Sequence, residues 1–377
     1  MSSTKYFVTC ARGLEPILAE ELTQLNSEDV QPGRGGVGFT GNQETLYRAN
    51  LWLRTAVRVL QPVLEAIVNS TDELYQAVQA VDWAQYLTPD HTLAVDCNVR
   101  DSRITHSQYA ARRVKDAICD QFVARCGRRP SVDPENPMVP LNLHVYKNQA
   151  TLSLESSGDS LHKRGYRPIQ TRAPLNEALA AGLILRSGWK DEMPFVDPMC
   201  GSGTLPIEAA WIALNRPPGL TRRHFAFQGW LDFNVQLWTQ IRDDARLQVR
   251  KSLPAPITGS DVRRDAVEFA RTNARAAGIG HLLTFEQRDL VDFEPPAGPP
   301  GTMLCNPPYG ERIGEEKELE SLYRNIGQVL GRCTGWRAFV FTGNAELAKR
   351  IELPGLEHVP FWNGRIPCQL LHFATTG

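Results

Sequence analysis

Four short β-prone runs in the second half of the chain end alike, and this recurrence restricts the fold more than any other feature. PFVD stops at Asp197, ITGSD at Asp261, LTFEQRD at Asp289 and TMLCN at Asn306. Helical segments separate the runs. From Asn176 onward the alternation of buried strands and helices predicts a mostly parallel sheet covered on both faces. Open sheets of this class bind ligands outside the carboxyl ends of their strands. Four polar side chains are therefore expected on one edge. The stretch after Asp197, PMCGSGT, is rich in glycine and leads into a helix that begins near Thr204. Gly201 and Gly203 allow a sharp turn and a close approach of backbone to ligand.

An acid at the end of the second strand is the usual partner of ribose hydroxyls. In a dinucleotide site it follows the glycines by about 20 residues. Here 58 residues separate Gly203 from Asp261, and Pro206 stands where a third glycine would fall. An insertion at 211–255 accounts for the distance; it contains RPPGLTRRHFAFQGWLDF and a polar helix at 234–251. Asp289, the third acid, can accept a bond from an adenine amino group. Asn306 opens the tetrapeptide NPPY. Its side-chain carbonyl, and a backbone carbonyl held in direction by the rigid ring of Pro307, can hold one exocyclic NH₂ for attack. Tyr309 offers a face on which a planar base can stack. Asn and Pro are also ordinary turn residues, but a chance turn does not explain the position of NPPY behind three other strand ends.

The first half has a different pattern. Residues 5–10 read as a strand, ARGLEPILAEELTQL as a helix with Leu14, Ile17, Leu18, Leu22 and Leu25 on one face, VGFTG as a strand after a glycine-rich turn at 33–38, and 46–60 as a second helix. From about 63 to 155 a second α/β unit follows. TDELYQAVQAVDWAQYL is expected to be helical up to Pro89, and TLAVDCNV to be a strand. SQYAARRVKDAICDQFVAR is expected to be a helix burying Ala110, Val114, Ile118 and Phe122, and LNLHVYKNQATLSLESSG a hairpin turning at Asn148. Residues 156–175 read as a linker, in which Lys163, Arg164, Arg167 and Arg172 have no compensating acid between 160 and 176.

Charge is informative only locally. The whole chain has 41 basic and 42 acidic residues and a net charge of −1, which excludes a uniformly basic coat but not a basic face. Residues 100–129 hold eight basic residues against three acids. Such a stretch can bind phosphate or form a solvated helix face. Arginine outnumbers lysine 33 to 8; it suits phosphate and base stacking, although a GC-rich genome gives the same bias. The eight cysteines form no C-x-x-C pair and no cysteine–histidine cluster with zinc spacing, so no metal is expected. The scattered thiols suit a reduced, cytoplasmic setting. No apolar run reaches the about 18 residues that span a bilayer. His106, His144 and His162 read as surface or strand residues, and Trp83, Trp211, Trp230 and Trp238 as packing.

DPMCGSGT, GSD, RDL and NPPYGER together resemble the class I S-adenosylmethionine-dependent methyltransferases that methylate amines. The N-terminal ARGLE, the α/β unit after it, LHKRGYR and the closing FWNGRIPCQLLHF resemble the bacterial ribosomal RNA methyltransferases that carry a THUMP domain. The 23S rRNA guanine-N2 group is the most similar, over nearly the whole chain. That group includes free-standing proteins and forms fused to a second methyltransferase. The resemblance implies an α/β architecture: a ferredoxin-like unit (1–62), a THUMP-like RNA-binding unit (63–155), the linker (156–175) and a Rossmann-like seven-stranded methyltransferase domain (176–377). It implies S-adenosyl-L-methionine as cofactor, held by Asp197, Pro198, Cys200, Gly201, Gly203, Thr204, Asp261, Asp289 and Asn306. Asn306, Pro307, Pro308 and Tyr309 would orient the target base. Arg103, Arg112, Arg113, Lys115, Lys163, Arg164 and Arg167 would contact RNA, 23S rRNA or a ribosome assembly intermediate. An adenine-N6 enzyme acting on RNA or DNA is the alternative, because NPPY serves that chemistry too. A non-catalytic relic is disfavoured by intact residues at all four strand ends.

Overall fold

A computed structural model describes residues 3–167, 175–309 and 316–375. The chain opens with β1 (Thr4–Cys10), α1 (Glu15–Gln24), the hairpin β2 (Glu28–Gly33) and β3 (Gly36–Gly41), α2 (Gln43–Trp52) and β4 (Ala56–Ile67). Then come α3 (Thr71–Gln79), β5 (Thr92–Arg100), α4 (Ser107–Cys126), β6 (Ser131–Val132), β7 (Val139–Tyr146) and β8 (Gln149–Glu155). All eight strands form one sheet in the order β2-β3-β1-β4-β8-β7-β5-β6. Neighbours are antiparallel except β5, which runs parallel to β7 and to β6.

The 12-residue β4 joins the two N-terminal units. Its start pairs with β1, from Phe7 opposite Leu60 to Cys10 opposite Ala56, and its length pairs with β8, ending with Ile67 opposite Gln149. Residue 62 therefore lies within a strand that both units share. The helix expected over 46–60 stops at Trp52. Leu53 turns the chain into extended backbone (φ −63°, ψ 122°), and AVRVLQPVLEAI continues as β4. Pro62 sits at a register shift in the ladder, where a missing N–H is tolerated. The helix expected to run to Pro89 also ends early, at Gln79. The Asp82 carboxylate accepts from the Ala84 N–H and caps a separate short turn, Trp83–Gln85. At the β7–β8 turn, Lys147 and Asn148 both have positive φ (49° and 65°), the two-residue turn that fits strand twist. Ala110, Val114, Ile118 and Phe122 are buried on α4 as expected.

The second half comprises α5 (Glu177–Ser187), β9 (Phe195–Asp197), α6 (Thr204–Ala213), α7 (Val235–Leu247), β10 (Ile257–Asp261), α8 (Arg264–Ala276), β11 (Thr284–Gln287) and β12 (Thr302–Cys305). It closes with α9 (Glu316–Arg332), β13 (Arg337–Thr342), the short α10 (Ala345–Ala348), β14 (Gly355–Asn363) and β15 (Ile366–Phe373). The seven strands lie in the order β11-β10-β9-β12-β13-β15-β14. The first five are parallel, and β15 and β14 are antiparallel additions. One face is covered by α5, α6 and α8, the other by α9. Strand order reverses between β9 and β12, which places a crevice between their carboxyl ends.

The insertion does not extend this domain. Phe225, Phe227, Trp230, Trp238 and Ile241 join the core of the N-terminal sheet, where Phe227 stacks on Tyr47 of α2 at 4.5 Å. In return Leu14, which caps α1, and Ile17 of α1 join the core of the second half. Among the described residues no helix is long and apolar enough to cross a membrane, and no three His, Cys, Asp or Glu side chains group to hold a metal. All eight cysteines are free thiols.

Candidate active site

Each strand of the crevice ends where its apolar run meets a polar residue. β9 delivers Asp197, only 2% exposed, whose Oδ1 accepts from the Met199 N–H at 3.1 Å. Burial, with the charge of Asp261 nearby, pushes its carboxyl well above the usual carboxylate range. The loop after it is anchored on the neighbouring strand: the Cys200 N–H donates to the Ser260 carbonyl at 2.8 Å, and the Gly201 N–H to Asp261 Oδ2 at 2.9 Å. The other Asp261 oxygen accepts from the Arg263 N–H at 3.0 Å. One carboxylate thus ties the ends of β9 and β10 together.

The two glycines do different work. Gly201 (φ +51°) has open space where a Cβ would stand, a gap at the loop surface. Gly203 (φ +82°) is needed for packing, since a Cβ there would sit 2.9 Å from the Ala270 Cβ on α8. Asn273, fully buried on the same helix, donates to the Ser202 carbonyl at 3.0 Å and holds the loop from behind. Sequence reasoning missed this residue, although a lone amide among Ala266, Ala270 and Ala274 on the inner face of α8 is a visible signal. Asp289, beyond β11, accepts from the Val291 N–H at 3.2 Å and caps a short turn. Cys200 and Cys305 are buried, and burial raises both thiols far above the range where a thiolate forms.

Asn306 follows β12, the neighbour of β9 at the point of strand reversal. Its Oδ1 is buried and accepts no hydrogen bond among the described residues. Pro307 is buried and Pro308 exposed. Tyr309 is held from the β13 side. Its hydroxyl accepts from Asn363 Nδ2 at 3.0 Å and its carbonyl from Asn344 Nδ2 at 3.4 Å. Its ring lies on Gly343, where a Cβ would come within 3.1 Å of a ring carbon. Asn344, Asn363 and Gly343 were not foreseen, because they reach the site from distant strands. Gly310, Glu311 and Arg312 of the motif lie outside the described residues.

The cations expected to meet RNA divide into two groups. Arg103 and Arg112 are exposed, and Lys163 is exposed with Asp159 at 3.6 Å. Arg113 pairs with Asp72 at 2.8 Å and lies 4.3 Å over the Tyr75 ring, and Lys115 pairs with Asp116. Arg164 and Arg167 face inward, contrary to expectation. Arg164 is 1% exposed, 3.6 Å from the fully buried Glu208 of α6, and donates to the carbonyls of Leu161 and Arg54. Arg167 is 3.4 Å from Glu177 and donates to the Thr204 hydroxyl at 2.6 Å, so these two candidates serve each other. The acids that compensate them, Glu177 of α5 and Glu208 of α6, lie outside residues 160–176. Arg172 lies outside the described residues. The histidines stay structural: His106 caps α4, and burial with nearby arginines lowers His162 to about 4. The four tryptophans are packing residues.

Three family descriptions match in succession: an RlmL ferredoxin-like domain over residues 5–60, a THUMP domain over 68–155 and an RMKL-like methyltransferase domain over 164–372. The Synechocystis protein slr0064, which carries a provisional RNA methyltransferase name, is 44% identical over 369 residues, 98% of this chain and 96% of that protein. The ribosomal RNA large subunit methyltransferase K/L of Syntrophotalea carbinolica is 48% identical over 380 residues, but the chain spans only 53% of its length. Among solved structures, the SMU.472 protein in complex with SAH superposes with a TM-score of 0.92 at 33% identity, covering 100% of this chain and 99% of that one. A Listeria monocytogenes protein described as a predicted N6-adenine-specific DNA methylase gives 0.89 at 33% identity, with 100% and 97% covered. By its domain order and by similarity along its whole length, the chain belongs to the RMKL-like methyltransferase family, with ferredoxin-like and THUMP domains ahead of the methyltransferase domain.

Proposed function

We propose that this chain methylates an exocyclic base amine in RNA, guanine N2 of 23S rRNA, with S-adenosyl-L-methionine as donor. The observation that carries the reading is the buried carbonyl oxygen of Asn306 at the strand-reversal crevice, unpaired among the described residues. A buried acceptor without a donor is costly, and a base amine entering the crevice supplies two N–H groups. The names of the K/L relatives support 23S rRNA, and the THUMP domain supports RNA over DNA.

The residues present fit the cofactor. Asp197 is a buried carboxylate with one backbone donor, suited to a cationic amino-acid group. Gly201 leaves space for close approach, and Asp261 stands at the second strand end for ribose hydroxyls. Asp289 stands at the third for the adenine. When bound, S-adenosylmethionine supplies a methyl group already activated by its sulfonium. The protein's task is then positioning. Asn306 and the carbonyls around Pro307 accept both amine hydrogens, which fixes the direction of the nitrogen lone pair toward the donor. The same acceptors stabilise the positive charge that develops on nitrogen. A paired base cannot reach them, so the nucleotide enters flipped or from an unpaired segment. The Tyr309 ring, braced by Gly343 and Asn363, replaces the lost stacking. Arg103, Arg112 and Lys163 contact RNA phosphates, in the cytoplasm where ribosomes are assembled. Adenine N6 presents the same two hydrogens to Asn306 and is the second reading.

The test is transfer of labelled methyl from S-adenosylmethionine to 23S rRNA lacking its modifications, with duplex DNA in parallel. Label in the RNA and none in the DNA is expected. Label in the DNA alone overturns the proposal.

A further inference from the structure

Beyond Tyr309 the N-terminal unit meets the catalytic edge of the second sheet, and a cavity of about 230 Å³ opens there. It lies between the end of β13 and the β14–β15 hairpin, with Gly343, Phe361, Trp362, Pro367 and Cys368 in its wall. It adjoins the tyrosine. Gly343 lines the cavity and also supports the Tyr309 ring, and Asn363, next to Trp362, donates to the Tyr309 hydroxyl. The lining is mostly apolar, and Trp362 is half-buried there while Phe361 is fully buried behind it, as in a slot for one flat ring.

Among the described residues no arginine lines this slot, but three stand on segments next to it. Arg12, from the loop between β1 and α1, holds its guanidinium 3.8 Å over the Trp362 ring, and its carbonyl accepts the Trp362 N–H at 3.2 Å. Arg34 stands in the β2–β3 turn. The Glu15 carboxylate accepts from the Gly13 N–H at 2.6 Å and the Gly35 N–H at 2.9 Å, which brings the two arginine-bearing loops together. Arg365 stands at the hairpin tip, and all three arginines are exposed. Segments 11–15, 33–36 and 363–366 contain one acid, Glu15, already engaged by those two amides.

We infer that this slot takes the base of an unpaired nucleotide adjacent to the flipped target, with its phosphate on Arg12 and Arg34. An aromatic surface with arginines on adjacent segments is the chemistry of single-strand capture, in which stacking supplies affinity and arginine tracks the backbone. Extruding one base also unstacks its neighbours, and a second stacking place next to Tyr309 offsets that loss. The ferredoxin-like unit then forms part of the catalytic mouth. The inference rests on the proposed function, since it takes RNA as the substrate and Asn306 as the place of the target base.

The test uses the whole chain, S-adenosylmethionine and a short synthetic RNA spanning the nucleotide found methylated. Wild-type protein is assayed on the intact RNA and on two versions in which one neighbour of the target is abasic. The expected result is a loss of about tenfold in kcat/KM for one neighbour and little change for the other, the size of one stacking contact. Trp362→Leu, and separately Arg12→Ala with Arg34→Ala, should raise KM for the intact RNA with melting temperature and cofactor affinity kept. The abasic change should then have no further effect in Trp362→Leu. The abasic comparison in wild-type protein needs no variant and is decisive if Trp362→Leu fails to fold. Equal use of all three RNAs overturns the inference and leaves the proposed function standing. No transfer even to the intact RNA overturns both.

Discussion

Asn306 and Asp197 share one condition, a polar group withdrawn from water before its ligand arrives. For Asn306 the consequence is kinetic. Asn306→Ala removes an acceptor that matters most when nitrogen carries charge, so kcat should fall by about a hundredfold or more, with S-adenosylmethionine affinity by calorimetry kept. Equal losses in both would assign Asn306 to the cofactor instead. For Asp197 the consequence is a pH dependence. Its carboxyl is raised above the ordinary aspartate value by burial first and by Asp261 second. Between the ordinary and the raised value the folded protein keeps a proton that the unfolded chain has released, so its stability falls as pH rises through that window. A protonated Asp197 cannot hold a cationic ligand, so cofactor affinity should rise with pH through the same window. Calorimetric titration across pH should show this rise in the wild type and a flat profile in Asp197→Asn.

Elements stand in the structure where local signals agreed. The strand ends at Asp197 and Asp261, the α4 face and the turn at Asn148 were all legible, because each rests on residues close in sequence, whereas β11 stops two residues before Asp289 and β12 one before Asn306. Asn148 also accepts from Ser102 Oγ at 3.0 Å and from the Arg103 N–H at 2.8 Å, which ties the exposed Arg103 loop to the hairpin. Asn148→Val should destabilise the protein by about 1–2 kcal/mol from its left-handed backbone alone, measured by denaturant unfolding. Asn148→Gly should keep the turn and lose only these two bonds and the one its Nδ2 donates to Asn69 Oδ1 at 3.5 Å. β4 was misread because apolar residues continue at helical spacing from Leu46 past Trp52, and nothing local announces that β1 and β8 wait on either side. β2 was not foreseen because EDVQPG is an exposed edge strand with no buried stripe. The inward turn of Arg164 was hidden for a similar reason: Glu208, its partner, comes 44 residues later on α6.

The whole molecule is two sheets tied together by exchanged segments. The insertion gives its aromatics to the N-terminal core, Leu14 at the cap of α1 joins the other, and a Cβ on Gly182 of α5 would come within 2.2 Å of the Leu14 side chain. Phe227→Ala should therefore cost about 3–5 kcal/mol. It should also split the thermal unfolding of the two halves, with the wild type expected to melt in one transition. At this scale much of the basic surplus at 100–129 is neutralised, since Arg100, Arg125 and Arg128 pair with Asp101, Asp82 and Asp90. Arg112 on α4 is exposed, whereas Arg113 and Lys115 have acidic partners. Arg112→Ala should weaken RNA binding and flatten its salt slope by about one unit, with a smaller change for Arg113→Ala. The proposed activity is directed at one nitrogen atom in one class of base. Mass spectrometry of nucleosides from unmodified 23S rRNA, treated with the protein and labelled S-adenosylmethionine, identifies that atom directly. Labelled N2-methylguanosine, absent when Asn306→Ala replaces the wild type, is the predicted result, and labelled N6-methyladenosine in its place would contradict it.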